Sequence, residues 1–245
     1  MGVYEHGRTT RLDLTDPTLR EWECTVLAVD PEAGIVLDRS AFYPGGGGQP
    51  PDHGVLLWQG VETRIVDTRK GDDLYLIPAP GDPLPPVGTA VRGAVADDRR
   101  TLLMRTHSGL HVLCGVVFRD FGALVTGGNM EPGEARMDFN LPEVPADFKA
   151  RLEELVNAEV TADRRIDARV LPRAEALALP DIIRTQSNLI PADEQDIRIV
   201  DIDGLDVQAD GGTHVASTRQ IGTVSVLKVE SKGKANRRVR VRLAP

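Results

Sequence analysis

Cysteine is scarce in this chain, which has only Cys24 and Cys114 among its 245 residues. Two cysteines are too few for a disulfide framework or for a cysteine-rich zinc module. Aromatic residues make up 4% of the sequence, which disfavours recognition by stacking on aromatic side chains. Hydrophobic residues (41%) and charged residues (27%) are near the averages of globular proteins, so we expect a folded chain.

Long apolar runs are also missing. No window approaches the roughly 18 consecutive apolar residues that cross a bilayer. The N-terminal segment has no apolar stretch after a basic start, as a secretory signal would have. We therefore expect a cytoplasmic protein that makes no contact with a membrane.

Positive charge is in short supply overall, because the net charge is −8, which argues against a protein that coats nucleic acid generally. The C-terminal end is different and has a single acid, Glu230, among seven basic residues. They are Lys228, Lys232, Lys234, Arg237, Arg238, Arg240 and Arg242. This run predicts a local phosphate-contacting patch. The alternative is the solvated face of a hairpin, since alternating arginines are also typical of a half-exposed strand.

The length favours two domains. Residues 1–95 contain short apolar runs separated by turn residues, which predicts a small β-barrel, and the segment from Pro78 to Pro86 is predicted to mark its exit. Residues 96–245 combine helical spacing from Asp97, a second helix over about 146–162 and several later strands, which predicts a two-layer α/β sandwich. The predicted fold class is therefore α+β.

Two histidines lie four residues apart in the first predicted helix. His107 and His111 project from consecutive turns on the same side, a spacing that can hold one metal ion such as zinc. The alternative is a pair of half-buried histidines bonded to backbone carbonyls. His214 follows a Gly-Gly pair that permits a tight turn, which can bring Asp210 and His214 toward a common centre.

Four motifs resemble those of one family and occur in the same order. AFYPGGGGQP, at 41–50, resembles its YPEGGGQP loop, and the pair His107 and His111 resembles its HxxxH motif. DGGTHV, starting at Asp210, resembles CGGTHV, and RQIGTVSVLKVESKGKANRRVRV resembles its C-terminal hairpin. The family is that of the free-standing alanyl-tRNA editing proteins (AlaX), similar to the editing domains of alanyl- and threonyl-tRNA synthetases. The resemblance covers almost the whole chain and indicates the longer class with an N-terminal barrel.

The resemblance implies a metal-dependent hydrolase that deacylates mischarged tRNA(Ala), above all seryl-tRNA(Ala) and also glycyl-tRNA(Ala). It implies one zinc ion per chain with His107, His111, Asp210 and His214 as ligands, the three histidines being catalytic. Asp210 replaces the family's cysteine, and Gly45 replaces the glutamate of its glycine loop. An aspartate oxygen is an acceptable zinc ligand, and three histidines alone would still form an open catalytic site.

Substrate contacts are expected at two places. The resemblance places Gly47 and Gln49 in a loop that reaches toward the editing cleft, and the alternative is a tight turn near another backbone. Its four glycines lack the Lys-Ser/Thr ending of a P-loop, which excludes that kind of nucleotide site. Ser40 and Thr213 are candidate partners of the seryl hydroxyl, unless they only stabilise turns.

The partner implied by the resemblance is mischarged tRNA(Ala), with Lys232, Lys234, Arg237 and Arg238 contacting its backbone. The chain is expected to act as a monomer or a homodimer. Two other functions stay open from the residues alone. One is a tRNA-binding relative whose catalysis is weakened by the missing cysteine, and the other is a metallohydrolase of an unrelated small ester.

Overall fold

The computed structural model describes residues 4–188, 190–192 and 194–244. The chain divides into two compact units, Met1–Thr101 and Leu102–Pro245. The strands of the first unit are β1 (Glu5–His6), β2 (Thr9–Arg11), β3 (Glu21–Asp30), β4 (Gly34–Leu37), β5 (Arg39–Ser40), β6 (Gly54–Trp58), β7 (Val61–Lys70), β8 (Leu74–Pro78) and β9 (Ala90–Val95).

Six strands of the first unit form a closed barrel in the order β3-β4-β8-β7-β6-β9, and all neighbouring pairs are antiparallel. Closure leaves the barrel without a free edge. Inside it, the ring of Trp22 meets that of Phe42 edge-on at 5.2 Å. Gly93 is required beside this pair, because a Cβ there would lie 2.4 Å from the indole ring.

The glycine-rich segment between β5 and β6 is closed at its base by Asp52. The backbone N–H of Tyr43 donates to Asp52 Oδ2 at 2.7 Å, and the N–H of Asp52 donates to the Tyr43 carbonyl at 3.0 Å. Arg100 Nε donates to both oxygens of the same carboxylate, and both side chains are fully buried. The glycines at 45–48 all have positive φ, a backbone conformation that favours glycine.

The described residues of the second unit form two sheets, three α-helices and one 3-10 helix, and the first of these helices begins at Asp97, in the first unit. These elements are α1 (Asp97–Phe121), β10 (Val125–Glu131), β11 (Glu134–Phe139), α2 (Phe148–Thr161), β12 (Ile166–Pro172), α3 (Arg173–Leu177), β13 (Asp196–Ile202), β14 (Asp206–Ala209), the 3-10 helix (Thr218–Ile221), β15 (Val224–Ser231) and β16 (Arg237–Leu243). One antiparallel sheet has the order β10-β11-β16-β15, and the other has the order β12-β13-β14.

Both long helices bury an apolar stripe in the core of this unit. The buried residues include Val112, Leu113, Val116 and Val117 of α1 and Phe148, Leu152 and Val156 of α2. Helix α2 also provides hydrogen-bond partners for the free backbone groups of the edge strand β15. Asn157 exchanges two hydrogen bonds with the backbone of Val224, and Glu153 accepts one from the N–H of Val226 at 2.6 Å. An edge strand occupied in this way is protected from pairing with another chain.

The predicted fold class, α+β with an N-terminal barrel, is confirmed. The prediction that the segment from Pro78 to Pro86 marks the exit of the barrel is wrong, because β9 follows it and pairs with both β3 and β6. The hairpin of β10 and β11 was not predicted, since β10 contains Gly127 and Gly128 and lacks a regular apolar alternation. Among the described residues, no helix is long and apolar enough to cross a membrane.

Substitution of Asp52 by alanine tests the anchor of the glycine loop. Asp52→Ala leaves the Arg100 guanidinium buried without its carboxylate, so we expect the free energy of unfolding to fall by about 3 to 5 kcal/mol. The measurement is urea denaturation followed by tryptophan fluorescence, because both tryptophans, Trp22 and Trp58, lie in the first unit.

The matched control is Glu21→Ala, which removes a largely exposed ion pair with Arg92 on the same barrel. Exposed pairs contribute at most about 1 kcal/mol, so this variant should unfold close to the wild type. Equal destabilisation by the two substitutions would contradict the assigned role of Asp52.

Candidate metal centre

Helix α1 carries two of the four clustered side chains. His107 and His111 are separated by one helical turn, and their ring centroids lie 5.1 Å apart. The same helix contributes apolar residues to the core, so both imidazoles are held on a packed element and are buried. The predicted projection of the two rings to one side is therefore observed.

A turn that follows β14 carries the other two side chains. The carboxylate of Asp210 accepts a hydrogen bond from the N–H of Gly212 at 2.6 Å, which folds the chain back after the strand. His214 leaves this turn with its ring centroid 4.4 Å from that of His107 and 4.7 Å from that of His111. The three rings and the carboxylate thus surround one point.

The four side chains fit a metal ion. Each offers one ligand atom, and these atoms all lie within 4.8 Å of one another. The Nε2 atoms of His107, His111 and His214 lie 3.4, 3.8 and 3.0 Å from the Asp210 carboxylate. Ligands at about 2.0 to 2.2 Å from a tetrahedral zinc are separated by about 3.3 to 3.6 Å. Three imidazoles and one carboxylate also form a donor set that suits zinc.

Burial and mutual contact shift the pKa values in this cluster. Burial opposes the charge of His111, but hydrogen bonds with Asp206 and Asp210 outweigh it and raise its pKa to about 9. Burial opposes the charge of Asp210, yet the neighbouring His107 and the other two imidazoles hold its pKa well below the ordinary value. Burial, followed by the charge of His107, lowers the pKa of His214 well below that of a free histidine. The carboxylate of Asp210 is therefore ionised and the imidazole of His214 is neutral, as metal ligands must be, whereas His111 would have to release a proton when a metal binds.

Further polar side chains contact the outer nitrogens of the rings. His111 Nδ1 lies 3.6 Å from Asp206 and 3.5 Å from the amide of Gln208. His214 Nδ1 lies 3.3 Å from Ser108 Oγ, which also accepts the N–H of Val215. Such partners fix the orientation of imidazole ligands.

These supporting residues were not predicted, although the sequence contains a signal for two of them. Side chains alternate along a strand, so Asp206 and Gln208 share the face of Asp210. Asp206 is buried and accepts a hydrogen bond from Arg184 Nε at 2.9 Å. The Arg184 guanidinium also lies 3.8 Å from the centroid of the Phe118 ring. Arg184 lies outside every motif, so nothing in the sequence indicates its contact with Asp206.

The predicted substrate residues lie in both units. Thr213 is fully buried between the two ligands of the turn, and its contact with substrate stays a prediction. Ser40 is buried in the first unit, and its hydroxyl accepts the N–H of Phe42 at 3.1 Å, which stabilises a turn. Gln49 is buried and pairs through its backbone with Gly46, while Gly47 has a φ of 58°. Their roles in binding also stay predictions.

The predicted tRNA-binding residues lie on the hairpin of β15 and β16. Lys232 and Lys234 are exposed in the connection between the strands. Arg237 donates to the carbonyl of Pro142, and Arg238 forms a two-pronged ion pair with Asp138 at 2.7 Å. The two lysines are therefore more accessible to a phosphate than the two arginines.

Two family models match the chain. The model described as "Threonyl and Alanyl tRNA synthetase second additional domain" matches residues 197–240, which include Asp210 and His214. The model described as "tRNA synthetases class II (A)" matches residues 20–99, the region of the barrel.

Several relatives align with nearly the whole chain. The alanyl-tRNA editing protein AlaX-M of Saccharolobus solfataricus is 36% identical over 244 residues, which cover 97% of this chain and 100% of the relative. The AlaX-M protein of Methanosarcina acetivorans is 34% identical over 238 residues, 94% of this chain and 97% of the relative. The alanine–tRNA ligase of Pyrobaculum neutrophilum is 39% identical over 235 residues, which cover 93% of this chain but only 26% of the ligase.

Removal of single ligands tests the metal centre. We expect His107→Ala, His111→Ala and His214→Ala each to weaken zinc binding by more than about 100-fold, because changes to supporting residues alone typically weaken it 10- to 100-fold. The measurement is competition for zinc between the purified chain and a chromophoric chelator. His53→Ala, which changes a histidine outside the cluster, should bind zinc as the wild type does. A wild-type chain without zinc affinity, or equal losses in all four variants, would refute the assignment.

Proposed function

The chain belongs to the family of alanyl-tRNA editing proteins (AlaX-M), and from that premise we propose that it hydrolyses the aminoacyl ester of mischarged tRNA(Ala). The bond broken joins the amino acid to the terminal ribose, and water supplies the hydroxyl group that completes the free carboxylic acid. The preferred substrate is seryl-tRNA(Ala), with glycyl-tRNA(Ala) as a second one. The AlaX-M relatives, which align with nearly the whole chain, are named alanyl-tRNA editing proteins.

The observation that carries the proposal is the buried cluster of three imidazoles and one carboxylate. His107, His111, Asp210 and His214 would hold one zinc ion. When bound, zinc supplies Lewis acidity, which polarises an ester carbonyl or lowers the pKa of a water molecule. No side-chain nucleophile is then required, and the sequence has no nucleophile-elbow motif of the Gly-x-Ser-x-Gly kind.

The chain itself orients the imidazoles. In the neutral tautomer that would ligate a cation through Nε2, His111 carries its proton on Nδ1, which faces the carboxylate of Asp206. His214 Nδ1 in the same way faces the hydroxyl of Ser108. Both contacts leave the Nε2 lone pairs directed at the common centre, where a cation can accept them.

Selection of serine over alanine is physically favourable at a site of this type. A site that hydrogen-bonds the seryl hydroxyl loses those bonds with alanine and leaves buried polar groups unpaired. This penalty separates the two substrates far more strongly than an apolar pocket separates side chains that differ by one methylene. The correct product, alanyl-tRNA(Ala), would therefore be spared.

Hydrolysis of aminoacyl-tRNA by the purified chain tests the function. We expect release of serine from seryl-tRNA(Ala) at a rate at least about 100-fold above that of alanine from alanyl-tRNA(Ala). Chelation should abolish the release, zinc should restore it, and His111→Ala should lack it, while His53→Ala keeps it.

Two results would overturn the proposal in favour of the other functions. Zinc bound without hydrolysis of any aminoacyl-tRNA would indicate a metallohydrolase of another ester. Binding of tRNA without zinc and without hydrolysis would indicate a binding protein.

We further propose that the connection between β15 and β16 contacts the tRNA backbone through Lys232 and Lys234. Both side chains are exposed, whereas Arg240 is paired with Glu230 at 2.7 Å and Arg242 with Glu134 at 2.8 Å. A lysine that neutralises a phosphate releases a counterion, so its contribution appears in the salt dependence of binding.

Replacement of each lysine tests this contact. We expect Lys232→Ala and Lys234→Ala each to reduce the slope of log K against log salt concentration by about 1. The measurement is fluorescence anisotropy of labelled tRNA(Ala) at several salt concentrations. The control is Arg165→Ala. Arg165 is an exposed cation that directly precedes β12 and pairs with Asp167 of that strand, so its removal should leave the slope unchanged. Unchanged slopes in both lysine variants would exclude the contact.

A further inference from the structure

Arg198 is a buried residue of β13 whose side chain contacts the turn that carries two of the candidate ligands. Its Nη1 donates to the carbonyl of Asp210 at 3.1 Å and to that of Gly212 at 3.0 Å. The backbone N–H of Asp210 in turn donates to the carbonyl of Arg198 at 3.1 Å. The same residue therefore binds both the start and the middle of the turn.

The charge of Arg198 has no acidic partner in the described part of the chain. Its Nε is buried and has no hydrogen-bond partner among the described residues. Arg184 in the same unit is different, because it pairs with Asp206 and lies over an aromatic ring. A buried guanidinium without a carboxylate is unfavourable. The groups that the Arg198 guanidinium does contact therefore indicate what it stabilises. Those groups are the two carbonyls of the turn.

The turn needs an external support of this kind. A Cβ on Gly211 would meet no atom within 4 Å, so the turn is not packed from that side. Within the turn, one hydrogen bond from the Gly212 N–H to the Asp210 carboxylate gives a local constraint. That bond uses the carboxylate oxygen that also lies 3.0 Å from His214 Nε2. Arg198 instead fixes the backbone and leaves the carboxylate available to the cluster.

We propose that Arg198 is a positioning residue, which holds the 210–212 turn so that Asp210 and His214 reach the same metal ion as His107 and His111. The inference rests on the metal-dependent function proposed above. Arg198 does not bind the metal or the substrate. It acts through the two carbonyls, and its removal changes the geometry of two of the four ligands.

Cobalt binding to the whole chain tests the proposal, because the visible spectrum of Co²⁺ reports the geometry of its ligands. Arg198→Met keeps the length and apolar volume of the side chain but removes all its donors. We expect its affinity for Co²⁺ and Zn²⁺ to fall about 10- to 100-fold, with an altered cobalt spectrum. Arg198→Lys keeps the charge but lacks the planar fork, so it should give an intermediate affinity.

The matched control is Arg164→Met. Arg164 also donates to the backbone carbonyl of a turn in this unit, that of Asp203 at 2.8 Å, but this turn carries no ligand, and Arg164 differs from Arg198 in pairing with Glu159. The control should lose stability without a change in the cobalt spectrum or in metal affinity. The melting temperature of each metal-free variant separates a general loss of stability from a loss of ligand geometry.

The outcomes distinguish this proposal from the proposed function. A wild-type chain that binds no metal would overturn both. A wild-type chain that binds metal, with Arg198→Met within about twofold of its affinity and with the same cobalt spectrum, would overturn the role of Arg198 alone. If Arg198→Met does not fold, Arg198→Lys decides, and an affinity and spectrum equal to the wild type would reject the proposal.

Discussion

The concentration of polar ligands at one buried point is the constraint on which the rest of the second unit depends. Three buried imidazoles and a half-buried carboxylate lie together, and buried polar groups are unfavourable unless they are satisfied. The surrounding chain supplies partners accordingly, with Asp206 beside His111 and Ser108 beside His214. The packed stripe of α1 and the hairpin of β13 and β14 can be understood as the scaffold that brings these groups together.

Much of this arrangement follows from local rules that act on short stretches of sequence. The helical position of His107 and His111 follows from their spacing. The turn before His214 is held by the hydrogen bond from the Gly212 N–H to the Asp210 carboxylate, and neither Gly211 nor Gly212 has the positive φ that the Gly-Gly pair would permit. Arg184 and Arg198 were not predicted, because their roles depend on contacts with Asp206 and Asp210 that only the folded sheet creates. The hairpin of β10 and β11 was missed for a related reason, since pairing with β16 outweighs the weak strand propensity of its glycines.

The charge distribution of the C-terminal hairpin explains how an acidic chain can still present a cationic segment. Arg238, Arg240 and Arg242 each lie beside an acidic side chain, so β16 is largely compensated along its length. The lysines in the connection stand apart from this compensation and are exposed. The alternation of arginine and valine in β16 is that of a half-exposed strand, while the phosphate contact of the two lysines stays a prediction.

The absence of sulfur from the four clustered side chains has a consequence for chemical durability. Peroxide and related oxidants attack thiolates, and a thiolate ligand converted to a sulfinic or sulfonic acid is permanently altered. The four clustered side chains offer only nitrogen and oxygen donors. Cys114 lies nearby, beside Gln208 and Asp206, but burial raises the pKa of its thiol, as burial raises that of Cys24 to about 12. An oxidant therefore meets no thiolate among the four clustered side chains, and the nearby thiol of Cys114 stays protonated and unreactive.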